Sequence, residues 1–96
     1  MGNIEFAWDR RKARFNLVKH GISFDEARTV FLDDNARLID DPDHSEGEAR
    51  FLLVGYSSEA RCLVVSHCYR QSDSVIRLIS ARRATKVEEA MYWRLK

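Results

Sequence analysis

The sequence has few cysteines, prolines and glycines, and it has no long hydrophobic run. The 2 cysteines, Cys62 and Cys68, are too few for a disulfide scaffold, and the extended strand predicted between them holds them too far apart to bridge. The longest apolar runs are only a few residues, as in Phe51–Val54, which excludes a membrane span of about 20 residues. The N-terminal residues also lack the basic and then apolar pattern of a signal peptide. We therefore expect a cytoplasmic protein with no membrane partner.

The composition predicts one globular domain over residues 1–96, because 45% apolar and 32% charged residues are an ordinary globular balance. The net charge of +1 hides a division along the chain. Residues 1–32 carry six basic and four acidic side chains, residues 33–48 carry one and seven, and residues 49–96 carry nine and four. Two basic segments therefore flank an acidic one, a pattern that favours a charged partner.

Local signals in the first third of the chain predict a strand and two helices. Ile4–Trp8 alternates between apolar and polar residues, as a short strand does. Asp9 is a suitable N-cap and Gly21 a suitable C-terminal stop for a helix over Arg10–His20. A capping box then begins a second helix over Phe24–Phe31. The expected inward residues are Ala13, Phe15 and Leu17 of the first helix and Phe24, Ala27, Val30 and Phe31 of the second.

The rest of the chain reads as four strands and a helix. The expected strands are Ala36–Ile39, Arg50–Tyr56, Arg61–Tyr69 and Ser74–Arg82, with an acidic loop at Asp40–Gly47. The last helix runs from Lys86 to the C-terminus, with an apolar stripe of Val87, Ala90, Met91 and Leu95. The order β-α-α-β-β-β-β-α predicts an α+β domain with helices on one face of an antiparallel sheet.

Motifs for cofactors and metals are missing: we find no P-loop, dinucleotide fingerprint or metal-ligand cluster, so we expect neither a cofactor nor a metal. Asp43-His44-Ser45 contains the residue types of a catalytic triad. Adjacent residues do not reach one another in the geometry of a triad, however, and Asp41-Pro42 is typical of a turn.

Two groups of cations are candidates for binding an anion. Lys19 and His20 end the first predicted helix, where the macrodipole favours a positive charge, so a simple capping role is an equal alternative. Arg82 and Arg83 end the last predicted strand, and guanidinium groups match phosphate oxygens. Neighbours on a strand face opposite sides, so at most one of the two arginines should line a given cleft. A solvated pair is the alternative.

His67 and Tyr69 share one face of a predicted strand. If that face meets the helices, His67 is a core residue; if the strand end is open, His67 is a candidate acid or base. Together with the cations, these residues suit RNA cleavage, because RNA carries its own nucleophile in the 2′-hydroxyl. The protein then supplies a base, an acid and cations for the phosphorane charge, all without a metal.

Three segments of the chain resemble the BrnT family of bacterial toxins. The first is Phe6-x-Trp8-Asp9-x-x-Lys12-x-x-x-Asn16-x-x-Lys19-His20-Gly21-Ile22-Ser23-Phe24-x-Glu26-Ala27, the second is Asp41-Pro42-Asp43-His44-Ser45-Glu46-Gly47-Glu48-x-Arg50, and the third is Ile79-Ser80-Ala81-Arg82-Arg83-Ala84-Thr85-x-x-Glu88. The resemblance implies a RelE-like fold and a type II toxin that inhibits translation by cleaving RNA. It also implies a BrnA-type antitoxin with a ribbon-helix-helix domain, through which the assembly would bind operator DNA.

The resemblance also gives the site candidates. Lys19, His20, Arg82 and Arg83 lie in the matched motifs, and His67 is added from its place in the penultimate strand. We expect His67 or His20 to act as the base and the other three to stabilise phosphate charge. Secondary candidates are Glu48 and Tyr69. One departure is that this chain is near neutral, whereas RelE-like toxins tend to be basic.

Two other readings remain open. A noncatalytic module that holds a DNA-binding antitoxin would use a basic face equally well, because an acidic protein segment also seeks positive charge. A small α+β domain of other function is the third reading.

Overall fold

The computed structural model describes residues 4–41 and 49–94, and its elements follow the predicted order. The strands are β1 (Glu5–Ala7), β2 (Arg37–Asp40), β3 (Phe51–Tyr56), β4 (Cys62–Arg70) and β5 (Val75–Arg83). The helices are α1 (Arg10–His20), α2 (Phe24–Arg28) with a following 3-10 turn (Thr29–Leu32), and α3 (Lys86–Arg94). Most of the predicted acidic loop, including Asp43-His44-Ser45, lies outside the described residues, and so does the secondary site candidate Glu48.

The five strands form one mixed sheet in the order β1-β5-β4-β3-β2. Strands β2 to β5 form the predicted antiparallel meander. The prediction of a wholly antiparallel sheet is wrong at β1, which pairs in parallel with β5, Phe6 lying opposite Ile76. The two helices and the meander separate these strands in sequence, and so long a connection allows the two to run in the same direction.

The helices cover both faces of this sheet, so the prediction that they share one face is wrong for α3. On one face, Leu63 and Val65 of β4 pack with residues of α2 such as Phe24 and Ala27. On the other face, Val64 packs with Tyr92 of α3. Adjacent residues of a strand point to opposite faces, and every residue from Cys62 to Cys68 is buried, so both faces of β4 need cover.

The predicted inward residues of α2 are confirmed: Phe24, Ala27 and Val30 are buried and Phe31 is half-buried. In α1, Ala13 packs against the core, but the prediction is wrong for Phe15 and Leu17, which are 65% and 50% exposed. Two residues apart on a helix lie about 200° apart around its axis, so no single face holds both.

In α3, the buried residue is Tyr92 and Met91 is partly buried, whereas Val87 and Ala90 are exposed, contrary to the predicted stripe. Leu95 lies outside the described residues. No described helix has the length and apolar character needed to cross a membrane.

Candidate functional site

A buried asparagine fastens α1 to the sheet. Asn16 is 4% exposed, and its Nδ2 donates to the carbonyl oxygens of Ile22 (2.9 Å) and Ala81 (2.8 Å). Its Oδ1 accepts from the backbone N–H of Ala81 at 3.0 Å. Strand β1 pairs only with Val75–Arg77, so further along β5 the Asn16 amide takes the hydrogen-bonding place of a neighbouring strand. The last turn of α1 is therefore held against the edge of β5.

That last turn carries the first pair of candidate cations. Asp9 caps the start of α1 by accepting from Arg11 N–H at 2.7 Å. Gly21 ends it in the left-handed conformation (φ 71°), and its N–H donates to the Leu17 carbonyl at 2.8 Å. Lys19 is exposed and His20 is half-buried. The partial negative charge of the helix C-terminus favours a positively charged side chain at either position.

A groove of about 310 Å³ lies where α1 meets the edge of β5. Its lining residues are Lys12, Phe15, Asn16, Lys19, His20, Ile79 and Ser80. Among the residues that the structure describes, the lining contains two lysines and a histidine but no carboxylate. The Lys19 ammonium lies 5.6 Å from the centre of the Phe15 ring, within the range of a cation–π contact.

Arg82 and Arg83 point to opposite faces of β5, as the sequence predicts. Arg82 pairs with Val64 on the face that α3 covers, and Ser80 of the groove lies two residues before it on the same face, about 7 Å along the strand. Arg83 pairs with Leu63 on the other face. There the pKa of Glu26 is lowered by the Arg61 side-chain hydrogen bond first and only weakly by the charge of Arg83.

A single carboxylate fixes the orientation of Arg82. Its Nη1 donates to Oε1 of Glu88 at 2.7 Å and its Nη2 to Oε2 at 2.8 Å. Hydrogen bonds from Arg82, and weaker ones from Thr85, lower the pKa of Glu88 to about 2. Glu88 thus occupies the end of the guanidinium group, and the Nε edge has no partner among the residues that the structure describes. That edge presents two N–H groups in the geometry of a phosphate.

The alternative in which His67 lies at an open strand end is wrong, because its side chain is fully buried. Nδ1 lies 3.1 Å from the Val65 carbonyl, which can only accept, so Nδ1 carries the proton. Nε2 then accepts from the Tyr69 hydroxyl at 3.2 Å. Phe31 packs edge-on against the ring at 4.9 Å between centres, and burial lowers the pKa of His67. The histidine is a hydrogen-bonded core residue.

Tyr69 lines a separate, larger cleft of about 500 Å³ with Leu38, Ala49, Phe51 and Asp73. Burial raises the pKa of its hydroxyl, and the charge of Asp73 adds to this effect. The described lining of this cleft contains a carboxylate and no cation, so it suits a phosphate less well than the smaller groove does. Elsewhere among residues 4–41 and 49–94, no three His, Cys, Asp or Glu side chains are placed to hold a metal ion.

The structure thus brings Lys19 and His20 together and places Arg82 beyond Ser80 on the adjoining strand. Sequence reasoning missed Lys12, Asn16 and Ser80 as partners of this site. Lys12, Asn16 and Lys19 are spaced by four and three residues, the spacing of one helical face, and this periodicity was a signal that could have found them.

A crystal structure of the ribonuclease toxin BrnT from Brucella abortus has a similar fold. It matches with a TM-score of 0.68 and 19% sequence identity, over 88% of this chain and 100% of that chain. Both chains are therefore small α+β domains of the same architecture. No curated protein sequence matches this chain.

The sequence itself settles the family. A profile described as "Ribonuclease toxin, BrnT, of type II toxin-antitoxin system" matches residues 8–88, which is most of the chain. The chain belongs to this family of ribonuclease toxins, and the predicted resemblance is confirmed. Membership of a type II system implies a protein antitoxin as partner and RNA as target.

Proposed function

We propose that this protein is a metal-independent endoribonuclease whose cleavage site is the groove between α1 and β5 together with Arg82. One observation carries the proposal: Lys19 and His20 line a groove whose described lining holds no carboxylate, and Ser80 of that groove shares its strand face with Arg82. A polyanion is attracted to such a site, and a chain of this family acts on RNA.

The reaction needs only groups that these residues carry. The imidazole of His20 accepts the proton of a 2′-hydroxyl, the 2′-oxygen bonds to phosphorus, and the bond from phosphorus to the 5′-oxygen breaks. Lys19 donates a proton to the departing 5′-oxygen. The Nε edge of Arg82 holds the equatorial phosphate oxygens as negative charge grows on them. The products are a 2′,3′-cyclic phosphate and a 5′-hydroxyl.

His67 and Arg83 are left out of this assignment for structural reasons. A fully buried ring whose two nitrogens are both hydrogen-bonded does not reach a 2′-hydroxyl. Arg83 lies on the opposite face of β5 from Arg82 and Ser80. Tyr69 lines the other cleft, and its hydroxyl donates a hydrogen bond to His67.

The partners follow from the family. We propose a BrnA-type antitoxin with a ribbon-helix-helix domain, which neutralises the toxin and carries the complex to operator DNA. Cleavage of cellular RNA by the free toxin would inhibit translation.

The test is cleavage of end-labelled RNA by the purified protein in the presence of EDTA. His20→Ala and Arg82→Ala should each lower the rate at least about 100-fold, as loss of a general base or of a charge-stabilising donor does. Arg14→Ala, an exposed position on α1 outside the groove, is the matched control and should cleave normally. If no variant of the chain, including the unmodified protein, cleaves RNA while the antitoxin binds tightly, the noncatalytic module is the correct reading.

A further inference from the structure

We propose that Phe15 is a stacking platform for an unpaired base of the RNA substrate, flanked by Lys12 and Lys19 as phosphate contacts. The inference rests on the proposed function and deepens it by naming single-stranded RNA as the substrate class. Three observations carry it: the exposure of the ring, its place in the groove, and the charges around it.

The ring is exposed where a core residue was expected. Phe15 is 65% exposed although it lies on a helix that packs against the sheet, and it lines the groove that holds Lys19 and His20. An exposed aromatic ring on its own is unremarkable. An aromatic ring in the wall of a cationic groove is the arrangement with which proteins stack bases of single-stranded nucleic acids.

The two lysines lie on either side of the ring along α1, so both can contact phosphates of an RNA strand whose base stacks on the ring. Lys12 lies three residues before Phe15 and Lys19 four residues after it, so the three side chains share one flank of α1. The Lys19 ammonium is already 5.6 Å from the ring centre. A base on the ring would therefore have cations on both sides along the helix, about 4.5 and 6 Å away in rise.

The lining of the groove favours RNA over a protein segment. None of the lining residues that the structure describes is acidic, and the exposed large apolar side chain among them is Phe15; Val18, three residues further along α1, is exposed but outside this lining. A single ring offers a flat surface for one base, whereas a docked amphipathic helix would need several apolar contacts in a row. The stacked base must be unpaired, because a base inside a duplex has both faces covered.

The experiment compares Phe15→Leu, which keeps apolar volume but loses the aromatic face, with Phe15→Trp, which keeps it. On single-stranded RNA, Phe15→Leu should raise KM about 5- to 150-fold with a much smaller change in kcat, since stacking acts on binding. Phe15→Trp should stay within about 2-fold of the unmodified protein. The matched control is Leu17→Met, on the same helix, 50% exposed, about 200° around the axis from Phe15 and outside the groove lining.

A spectroscopic readout separates stacking from mere contact. RNA should quench the fluorescence added by Phe15→Trp and leave that added by Leu17→Trp, on the opposite side of α1, unchanged, and duplex RNA should quench neither. If Phe15→Leu keeps a normal KM and RNA does not quench Phe15→Trp, while His20→Ala abolishes cleavage, the stacking inference is wrong and the cleavage site stands. If His20→Ala and Arg82→Ala cleave normally, the proposed function fails instead. Weakened antitoxin binding by Phe15→Leu with unchanged KM for RNA would show a protein-docking surface and overturn the inference.

Discussion

At the scale of single residues, the decisive contacts are those that hold a charged group in one orientation. Glu88 binds Arg82 through both of its oxygens, and the same carboxylate accepts from Thr85 N–H at 2.8 Å at the start of α3. One side chain therefore caps the helix and orients the arginine of the proposed site. Hydrogen bonds from Arg82 and Thr85 favour the ionised form of Glu88 and lower its pKa to about 2.

This pair makes a prediction about stability and pH. Because the pKa of Glu88 is lowered on folding, its contribution is present above the usual glutamate range near 4.5 and is lost as the pH falls toward 2. Glu88→Gln should lower the free energy of unfolding by about 1 kcal/mol at pH 7, a value reduced by the partial exposure of both side chains. The loss should disappear near pH 2, as measured by urea unfolding across this range.

The matched control for that titration is Asp25→Asn. Asp25 and Arg28 form an exposed pair at 3.7 Å, which should contribute little at any pH. A Glu88→Gln deficit that is the same at pH 7 and pH 2 would mean that the ion pair is not its cause.

At the scale of elements, the site depends on how α1 meets the edge of β5. The helix is held there by the Asn16 amide, which satisfies the backbone N–H and carbonyl of Ala81 where β1 has ended. Lys19 and His20 follow Asn16 by about one turn, so the same bond sets their distance from Ser80. The hydrogen bonds of Asn16 therefore fix both the position of α1 and the geometry of the site.

Replacing Asn16 should weaken the attachment of α1 to β5 and lower the activity of the site together. Asn16→Leu keeps the branched shape of the side chain but leaves both Ala81 backbone groups buried without their partner, at a cost of about 3 kcal/mol. Hydrogen exchange at the Ala81 amide should accelerate, and RNA cleavage should fall with it. Asn35→Leu, an exposed asparagine in a loop, is the control and should change neither. Unchanged exchange at Ala81 in Asn16→Leu would show that the side chain does not hold the strand edge.

At the scale of the whole molecule, the order of elements was predictable from local signals, because caps and glycines mark boundaries where they occur. Asp9 and Gly21 bound α1 at the predicted residues. The parallel pairing of β1 and the packing of α3 on the second face were not predictable, since both depend on contacts between distant segments. The same dependence on distant contacts explains two residues of α1. Apolar character alone predicted that Phe15 points inward, but its side chain is exposed. Asn16 is polar but buried, because its side chain hydrogen-bonds the backbone of Ala81.

The candidate site was predictable in its parts but not in its assembly. Lys19, His20 and Arg82 stood out as cations in matched motifs, and the rule for strand neighbours separated Arg82 from Arg83 in advance. The burial of His67 depends on Phe31, from a different part of the chain. The acidic segment, which balances the net charge, contributes no residue to the groove lining that the structure describes.

The most direct test of the account is the chemistry of the ends that the protein leaves on cleaved RNA in the presence of EDTA. Attack by the 2′-hydroxyl predicts a 2′,3′-cyclic phosphate on one fragment and a 5′-hydroxyl on the other, both absent with His20→Ala. Fragments with a 3′-hydroxyl and a 5′-phosphate, or cleavage that stops when EDTA is added, would contradict the proposed site.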